Sequence, residues 1–283
     1  MYPSQFEYHK PSSLQEAIAL LASDPESKIL AGGHSLIPAM KLRLANPGSL
    51  VDISGIAGLN GISVNGGATI GAMTTYRELL DNVDLKGPFP VIAETANVVG
   101  DPAVRNRGTI GGSMAHSDPS ADYTAVLLAL GASVTAVGSN GERTISLDDL
   151  FVDLFTTSLE TDEILTSISI PAAAAGSGQA YEKHAHPASG YAVVGVAAVL
   201  TVSGGTITAA RVAVTGAIAK ATRATATEAA LIGKAATAEN IAAAAALAAD
   251  GLDLNGDTYA SADYRGHLVK VLAKRAITRA AGI

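Results

Sequence analysis

The sequence predicts an α+β fold in three parts, and the order of its patterns indicates each part. Residues 1–58 alternate strand and helix patterns around a glycine pair. Residues 59–171 contain a hairpin signal and further apolar runs of strand length. Residues 178–283 begin with long apolar runs and continue into alanine-rich helical segments. We therefore expect two mixed subdomains, followed by a small antiparallel sheet with a three-helix cluster.

The first part is predicted to form a strand–loop–helix–strand unit after an initial helix. Ser13 and Glu16 have the spacing of a capping box, which opens that helix. Residues 28–31 form a predicted strand that leads into the glycine pair, and residues 50–53 form a second strand. Residues 36–44 are predicted to form a short helix that ends before a proline, because the residue preceding proline avoids helical geometry.

The second part is predicted to alternate strands with helices. Asn65 and the glycines that follow it lie between two apolar runs, which favours a hairpin. Asp118 as N-cap and Pro119 as first helical residue predict a helix that continues to Leu130 and stops at Gly131. A capping box at Thr75 and Glu78 predicts another helix, and strands are predicted for residues 132–137 and 164–170.

The third part follows an alanine-, glycine- and serine-rich stretch at residues 172–178, which is typical of a linker. Gly204 and Gly205 divide two apolar runs, residues 192–203 and 206–215, and so predict a hairpin. Three helices are predicted after it: one capped by Thr225 and Glu228, one over residues 238–249 and one over residues 261–281.

Composition limits the classes of function. The net charge of −7 disfavours a general nucleic-acid binder, which is usually basic. The chain has no cysteine, so any cysteine-ligated iron–sulfur cluster must belong to another polypeptide. The first residues lack the pattern of a secretory signal, and the longest apolar stretch, residues 191–202, is too short to span a bilayer. We expect a cytoplasmic protein without a transmembrane segment.

Two glycine-rich segments carry the strongest functional signal. The first glycine segment consists of Ala31, Gly32, Gly33, His34, Ser35 and Leu36, and the second glycine segment consists of Thr109, Ile110, Gly111, Gly112 and Ser113. Each follows a predicted strand and precedes a predicted helix, so bare backbone N–H groups and hydroxyls could bind a phosphate there. Two such segments suit a diphosphate held from both sides, and they predict a dinucleotide cofactor, FAD.

Other assignments of these segments are weaker. A lone Gly-Gly pair is as often a simple tight turn. The glycine spacing does not match a nicotinamide-binding Gly-x-Gly-x-x-Gly fingerprint, although Asp52 lies at about the distance where its acidic residue would stand. Asp122 follows the second glycine segment, where an acid either complements a helix dipole or accepts hydrogen bonds from sugar or polyol hydroxyls.

These residues resemble a known family. Residues 31–44 and 109–132 are similar to the paired FAD loops of the flavin subunits of the xanthine dehydrogenase and molybdenum hydroxylase family. Residues 181–183 and 186–194 resemble the FAD-binding medium subunits of the aerobic molybdenum carbon monoxide dehydrogenases. The resemblance covers nearly the whole chain, with one departure at Ser113, where many relatives have asparagine.

The resemblance implies a two-subdomain FAD-binding domain of the vanillyl-alcohol-oxidase (PCMH) type, followed by a carboxy-terminal domain of the carbon monoxide dehydrogenase flavoprotein type. It implies that both glycine segments carry the FAD diphosphate and that Asp122 holds the polyol. Lys183 and Tyr191 match the family positions near the isoalloxazine ring, although each could instead be an ordinary exposed lysine or a packed aromatic. His116 could also face the ring.

The implied function is electron transfer within a multi-subunit oxidoreductase. An iron–sulfur small subunit and a molybdenum large subunit would be the partners, in a dimer of heterotrimers that could associate with the inner face of the membrane. Electrons would pass through FAD to an acceptor such as quinone, and we assign no catalytic residue or metal site to this chain. The alternatives are a self-contained FAD oxidoreductase acting on a small alcohol or cell-wall precursor, and a non-catalytic phosphate-binding scaffold.

Overall fold

The computed structural model describes residues 2–283. Its first part contains strands β1 (Glu7–His9), β2 (Lys28–Leu30) and β3 (Ser49–Asp52), helices α1 (Leu14–Ser23) and α2 (Leu36–Lys41), and a short 3-10 helix (Ile53–Gly55). The strands form a parallel sheet in the order β1-β3-β2. The predicted strand–loop–helix–strand unit is confirmed. Ser13 caps α1 as expected, whereas the carboxylate of Glu16 accepts a hydrogen bond from the N–H of Ser12.

The second part is built around a five-stranded antiparallel sheet in the order β4-β5-β10-β6-β7. The strands of this sheet are β4 (Ile62–Asn65), β5 (Gly67–Gly71), β6 (Ser133–Gly138), β7 (Gly141–Ser146) and β10 (Ile164–Ile170). Strands β8 (Phe151–Asp153) and β9 (Thr156–Thr157) form a separate two-stranded sheet. Its helices are α3 (Tyr76–Asp81), α4 (Pro90–Val98), α5 (Pro102–Arg105), α6 (Ile110–His116), α7 (Asp122–Ala129) and α8 (Leu147–Leu150). The hairpin at Asn65 and the capping box at Thr75 are confirmed.

The predicted start of α7 is wrong. The side chain of Asp118 accepts a hydrogen bond from the N–H of Ser120 at 2.8 Å and closes a turn, so it does not cap the helix. The helix begins at Asp122, with Ala121 as N-cap. At the other end, Gly131 lies after the last turn with φ of +68°, the left-handed conformation that glycine adopts without strain.

The third part contains a four-stranded antiparallel sheet in the order β11-β12-β13-β14 and three helices. Its elements are β11 (Ser177–Ala185), β12 (Ala192–Ser203), β13 (Thr206–Thr215), β14 (Thr222–Arg223), α9 (Thr225–Leu231), α10 (Ala238–Ala245) and α11 (Ala262–Ala281). The hairpin at Gly204 and Gly205 is confirmed. Thr225 does not cap α9, because Ala224 is its N-cap and Glu228 accepts from the N–H of Val212 instead.

Helix α7 joins the second and third parts. Each of its residues is buried, and it packs against both β12 and β13. Apolar residues of the third part, Tyr181 and Ala213 among them, therefore belong to the same core as those of the second part. Among residues 2–283, no helix is both long enough and apolar enough to cross a membrane.

Candidate cofactor site

A cleft of about 640 Å³ lies where the three parts meet. This volume falls within the range of ligand sites, roughly 300–1,000 Å³. The first glycine segment lines one side, the second glycine segment and residues 120–123 line another, and Ser189, Gly190 and Tyr191 approach from the third part. The fold thus brings together segments that lie far apart in the sequence.

The first glycine segment offers free donors to the cleft. It connects β2 to α2, and Gly33 has φ of +76°, which other residues adopt only with strain. The N–H groups of Gly33, His34 and Ser35 have no acceptor within the part of the chain that the structure describes. Because these free donors precede a helix start and line the cleft, they suit an anionic ligand.

Close contact between the two segments depends on Gly32. A Cβ on this residue would lie 2.0 Å from the carbonyl oxygen of Arg107, two residues before the second glycine segment. Only glycine therefore allows the backbone of one segment to rest against the approach to the other.

The N–H groups of residues 110–113 in the second glycine segment were expected to be free, but they are hydrogen-bonded within the chain. Thr109 caps α6, and the segment forms its first turn. The N–H groups of Ile110, Gly111 and Ser113 donate to the carbonyls of Thr74, Ala72 and Thr109, respectively. The N–H of Gly112 donates to the Thr109 hydroxyl. The expectation of free amides is wrong here, because the helix start and the neighbouring strand end already use these donors.

The glycines of the second glycine segment instead permit packing. A Cβ on Gly111 would lie 2.5 Å from the Cβ of Ala72. Thr109, Gly111, Gly112 and Ser113 all line the cleft, whereas the side chain of Ile110 is fully buried in the core and lies outside the lining. The segment thus contributes surface and hydroxyl groups to the cleft.

Asp122 lies on the cleft wall and is paired with two side chains of β11. Its Oδ1 accepts from the Tyr181 hydroxyl at 2.6 Å, and its Oδ2 accepts from the Lys183 ammonium at 2.9 Å. Burial raises the pKa of Asp122, and the Lys183 charge and the Tyr181 hydrogen bond oppose that rise. Lys183 does not line the cleft, so the structure places it behind Asp122.

Tyr191 and His116 face the cleft from different parts of the fold. Tyr191 is 47% exposed and lies at the end of a turn. The N–H of His186 donates to the Tyr191 carbonyl at 2.8 Å and closes that turn. His116, at the end of α6, packs against Phe155 with ring centroids 5.0 Å apart. Burial lowers the pKa of His116 and so favours its neutral imidazole, whereas the nearby Asp118 opposes this shift.

Sequence reasoning missed several lining residues. Phe155 lies in the turn between β8 and β9 with φ of +50°, unusual for an aromatic residue. Glu163 accepts hydrogen bonds from Arg143 at 2.6 and 2.8 Å. Of these two residues, Glu163 lines the cleft and Arg143 does not. No local motif marks either position, because the turn and the ion pair are both products of tertiary structure.

Comparison with known proteins decides the family. The family model "FAD binding domain in molybdopterin dehydrogenase" matches residues 4–173. A second model, "CO dehydrogenase flavoprotein C-terminal domain", matches residues 179–280. The chain belongs to the FAD-binding subunits of the molybdopterin dehydrogenases. The predictions of FAD as cofactor, of an oxidoreductase subunit, and of an α+β FAD-binding domain followed by a small antiparallel sheet with helices are thereby confirmed.

Relatives within this family match the chain along its whole length. It is 41% identical to the carbon monoxide dehydrogenase medium chain of Hydrogenophaga pseudoflava, over 99% of this chain and 98% of that protein. It is 37% identical to the nicotine 6-hydroxylase medium subunit of Paenarthrobacter nicotinovorans, over 96% of each chain.

Solved structures agree with this family assignment. The fold superimposes on a chain of the Hydrogenophaga pseudoflava carbon monoxide dehydrogenase with a TM-score of 0.97 at 43% identity, covering 100% of this chain and 99% of that one. It superimposes on a chain of quinoline 2-oxidoreductase from Pseudomonas putida 86 with a TM-score of 0.93 at 36% identity, with the same coverage.

The residues of the cleft fit FAD. Unpaired N–H groups at Gly33, His34 and Ser35 match the needs of a diphosphate, and the paired carboxylate of Asp122 retains lone pairs that can accept from hydroxyl groups. Because Gly32 has no Cβ, its backbone can lie close to Arg107, and the two glycine segments stay together around the same space.

Proposed function

We propose that this chain is the electron-transfer subunit of a molybdenum hydroxylase complex and that carbon monoxide dehydrogenase is the complex it serves. The observation that carries the proposal is the FAD-type cleft, in a chain that is similar along its whole length to carbon monoxide dehydrogenase medium chains. When bound, FAD supplies a redox centre that exchanges electrons with a donor and an acceptor.

The chain's own residues would bind and orient the cofactor. The N–H groups of Gly33, His34 and Ser35, which have no acceptor among residues 2–283, would hold the diphosphate, and Asp122, which lines the cleft, would accept hydrogen bonds from the polyol. Tyr191 lies at the opening of the cleft, where it can cover the ring and exclude water. Thr109 and the hydroxyl of Ser113 complete the wall without using backbone donors.

Electrons must arrive from other subunits. Because the sequence contains no cysteine, an iron–sulfur small subunit would deliver them from a molybdenum large subunit. We propose a dimer of heterotrimers in the cytoplasm, associated with the inner face of the membrane only through partners, with quinone as acceptor. The relatives are named for carbon monoxide, nicotine and other substrates, so the large subunit would determine the substrate.

Reconstitution tests this function. The purified chain should bind FAD and show flavin absorbance, and carbon monoxide should leave that absorbance unchanged. When the small and large subunits are added, carbon monoxide should bleach the flavin. The proposal is wrong if the isolated chain is bleached by carbon monoxide, or if it fails to bind FAD.

A second measurement identifies the acceptor. In stopped flow, the reduced flavin of the complex should be reoxidised by a quinone, and NADH should not reduce the oxidised flavin. Rapid reduction by NADH would replace quinone with a nicotinamide acceptor. Turnover of a small alcohol by the isolated chain would instead support a self-contained FAD oxidoreductase.

A further inference from the structure

The third part of the fold shapes one wall of the cleft. Its Thr215 hydroxyl lies 2.6 Å from the carbonyl of Pro119 and 3.0 Å from that of Ala121. The N–H of Gly216 donates to the Pro119 carbonyl at 2.6 Å. These contacts fix the segment that leads into Asp122, so the carboxylate is held at its backbone as well as at its side chain.

The partners of Asp122 are buried with it. The side chains of Asp122 and Lys183 are each 6% exposed, and Tyr181 is 3% exposed. The Lys183 ammonium also donates to the carbonyl of Val98 at 3.0 Å, which fixes its position between α4 and α7. A buried carboxylate without a countercharge takes up a proton, because the charged form is poorly solvated there.

We propose that Lys183 and Tyr181 are positioning residues that act through Asp122, keeping its carboxylate charged and turned toward the FAD polyol. This inference rests on the proposed binding mode of FAD. Each oxygen of Asp122 spends one acceptor position on a β11 side chain, and the remaining lone pairs are available to cofactor hydroxyls. Lys183 would thereby affect FAD binding without touching the cofactor.

The groups around Asp122 allow its protonation to be followed through the pH dependence of FAD binding. Tyr76, Tyr123, Tyr181 and Tyr191 surround it, and burial raises the pKa of each phenol, that of Tyr76 to about 12. The raised pKa values keep these phenols neutral at neutral pH. The other titratable residues that line the cleft are common to every variant compared below, so their contribution cancels: Lys28, His34, His116, Asp118, Glu160 and Glu163.

A double-mutant cycle tests the proposal. FAD affinity of the apoprotein, followed by flavin fluorescence, is measured for wild type, Lys183→Met, Asp122→Asn and the double variant. We expect Lys183→Met and Asp122→Asn each to weaken binding about ten- to a hundredfold, the loss of a hydrogen bond to a charged group. Adding Lys183→Met to Asp122→Asn should cost almost nothing further, because the group through which Lys183 acts is already neutral.

The pH profile separates positioning from a purely structural role. In Lys183→Met the pKa of Asp122 rises further, so FAD binding, measured from pH 5 to 8, should strengthen with increasing pH more steeply than in the wild type. The double variant should not show this added slope. Lys183→Arg should restore most of the affinity and remove the slope.

Several outcomes would overturn the proposal. Additive losses in the cycle would mean that Lys183 contacts FAD itself, and a Lys183→Met profile parallel to the wild type would mean that Asp122 stays charged without it. If Lys183→Met does not fold, Tyr181→Phe replaces it in the double-mutant cycle with Asp122→Asn. Additive losses in that cycle would likewise mean that Tyr181 does not act through Asp122. Failure of the wild type to bind FAD would refute the proposed function instead.

Discussion

Replacement of Gly32 by alanine tests whether the two glycine segments form one cofactor site. The new Cβ would lie 2.0 Å from the Arg107 carbonyl oxygen and 3.1 Å from the Cα of Gly108. Real contacts of this kind begin near 3.0 Å, so the two backbones must separate by about 1 Å. Neither contact involves a flexible side chain, so the strain cannot be relieved by a rotamer change. Overpacking of this kind costs about 1–3 kcal/mol.

The matched control is Gly48→Ala, where a Cβ meets no atom within 4 Å and the backbone is not left-handed. We expect Gly32→Ala to lower the melting temperature by roughly 2–8 °C and FAD affinity by about tenfold or more. Gly48→Ala should leave both unchanged or raise stability slightly. Differential scanning fluorimetry with and without FAD, and fluorescence titration, provide the two measurements. Equal behaviour of the two variants would refute the close contact between the segments.

Three further substitutions test the surrounding structure. Arg143 holds the pKa of Glu163 below its usual 4.5, so the pair stabilises the fold above that pH and loses the contribution as the pH falls further. Thermal melts from pH 6 to 3 should therefore fall more steeply for wild type than for Glu163→Gln. Gly131→Ala, at φ of +68° with no close contact, should cost about 1 kcal/mol in urea unfolding through backbone strain alone. Arg223→Met should cost about 2 kcal/mol in the same assay, because it leaves the 5% exposed carboxylate of Glu228 without its cation; an unchanged midpoint would contradict that pairing.

Local sequence signals predicted the elements whose ends are defined by their own residues. The hairpins at Asn65 and at Gly204 and Gly205 follow from glycines between alternating apolar runs, and the capping box of α3 lies entirely within Thr75–Glu78. In these cases the hydrogen bonds that fix the structure join residues a few positions apart. The sequence therefore contains the information needed to place them.

Prediction failed where distant residues compete for the same groups. Asp118 and Pro119 look like a helix start, but the Pro119 carbonyl accepts from Thr215 and Gly216, and this tertiary contact favours a turn over another helical residue. Likewise, Lys183 lies 61 residues from Asp122, so no spacing rule could reveal their ion pair. The sequence therefore predicted residues that lie near the cleft, but it could not predict which distant residues they pair with.

The two glycine segments differ in the hydrogen bonding of their N–H groups, and this difference favours one orientation of the proposed cofactor. The N–H groups of Gly33, His34 and Ser35 have no acceptor among residues 2–283, whereas the amides of residues 110–113 in the second glycine segment are engaged and the carboxylate of Asp122 follows that segment. A diphosphate placed against Asp122 would face a like charge, and hydroxyl groups placed against the free amides would leave the stronger donors without an anion. We therefore propose that the diphosphate would lie at the first glycine segment and the polyol at Asp122. In that arrangement the ring would lie toward Tyr191, at the side of the cleft that the third part of the fold supplies.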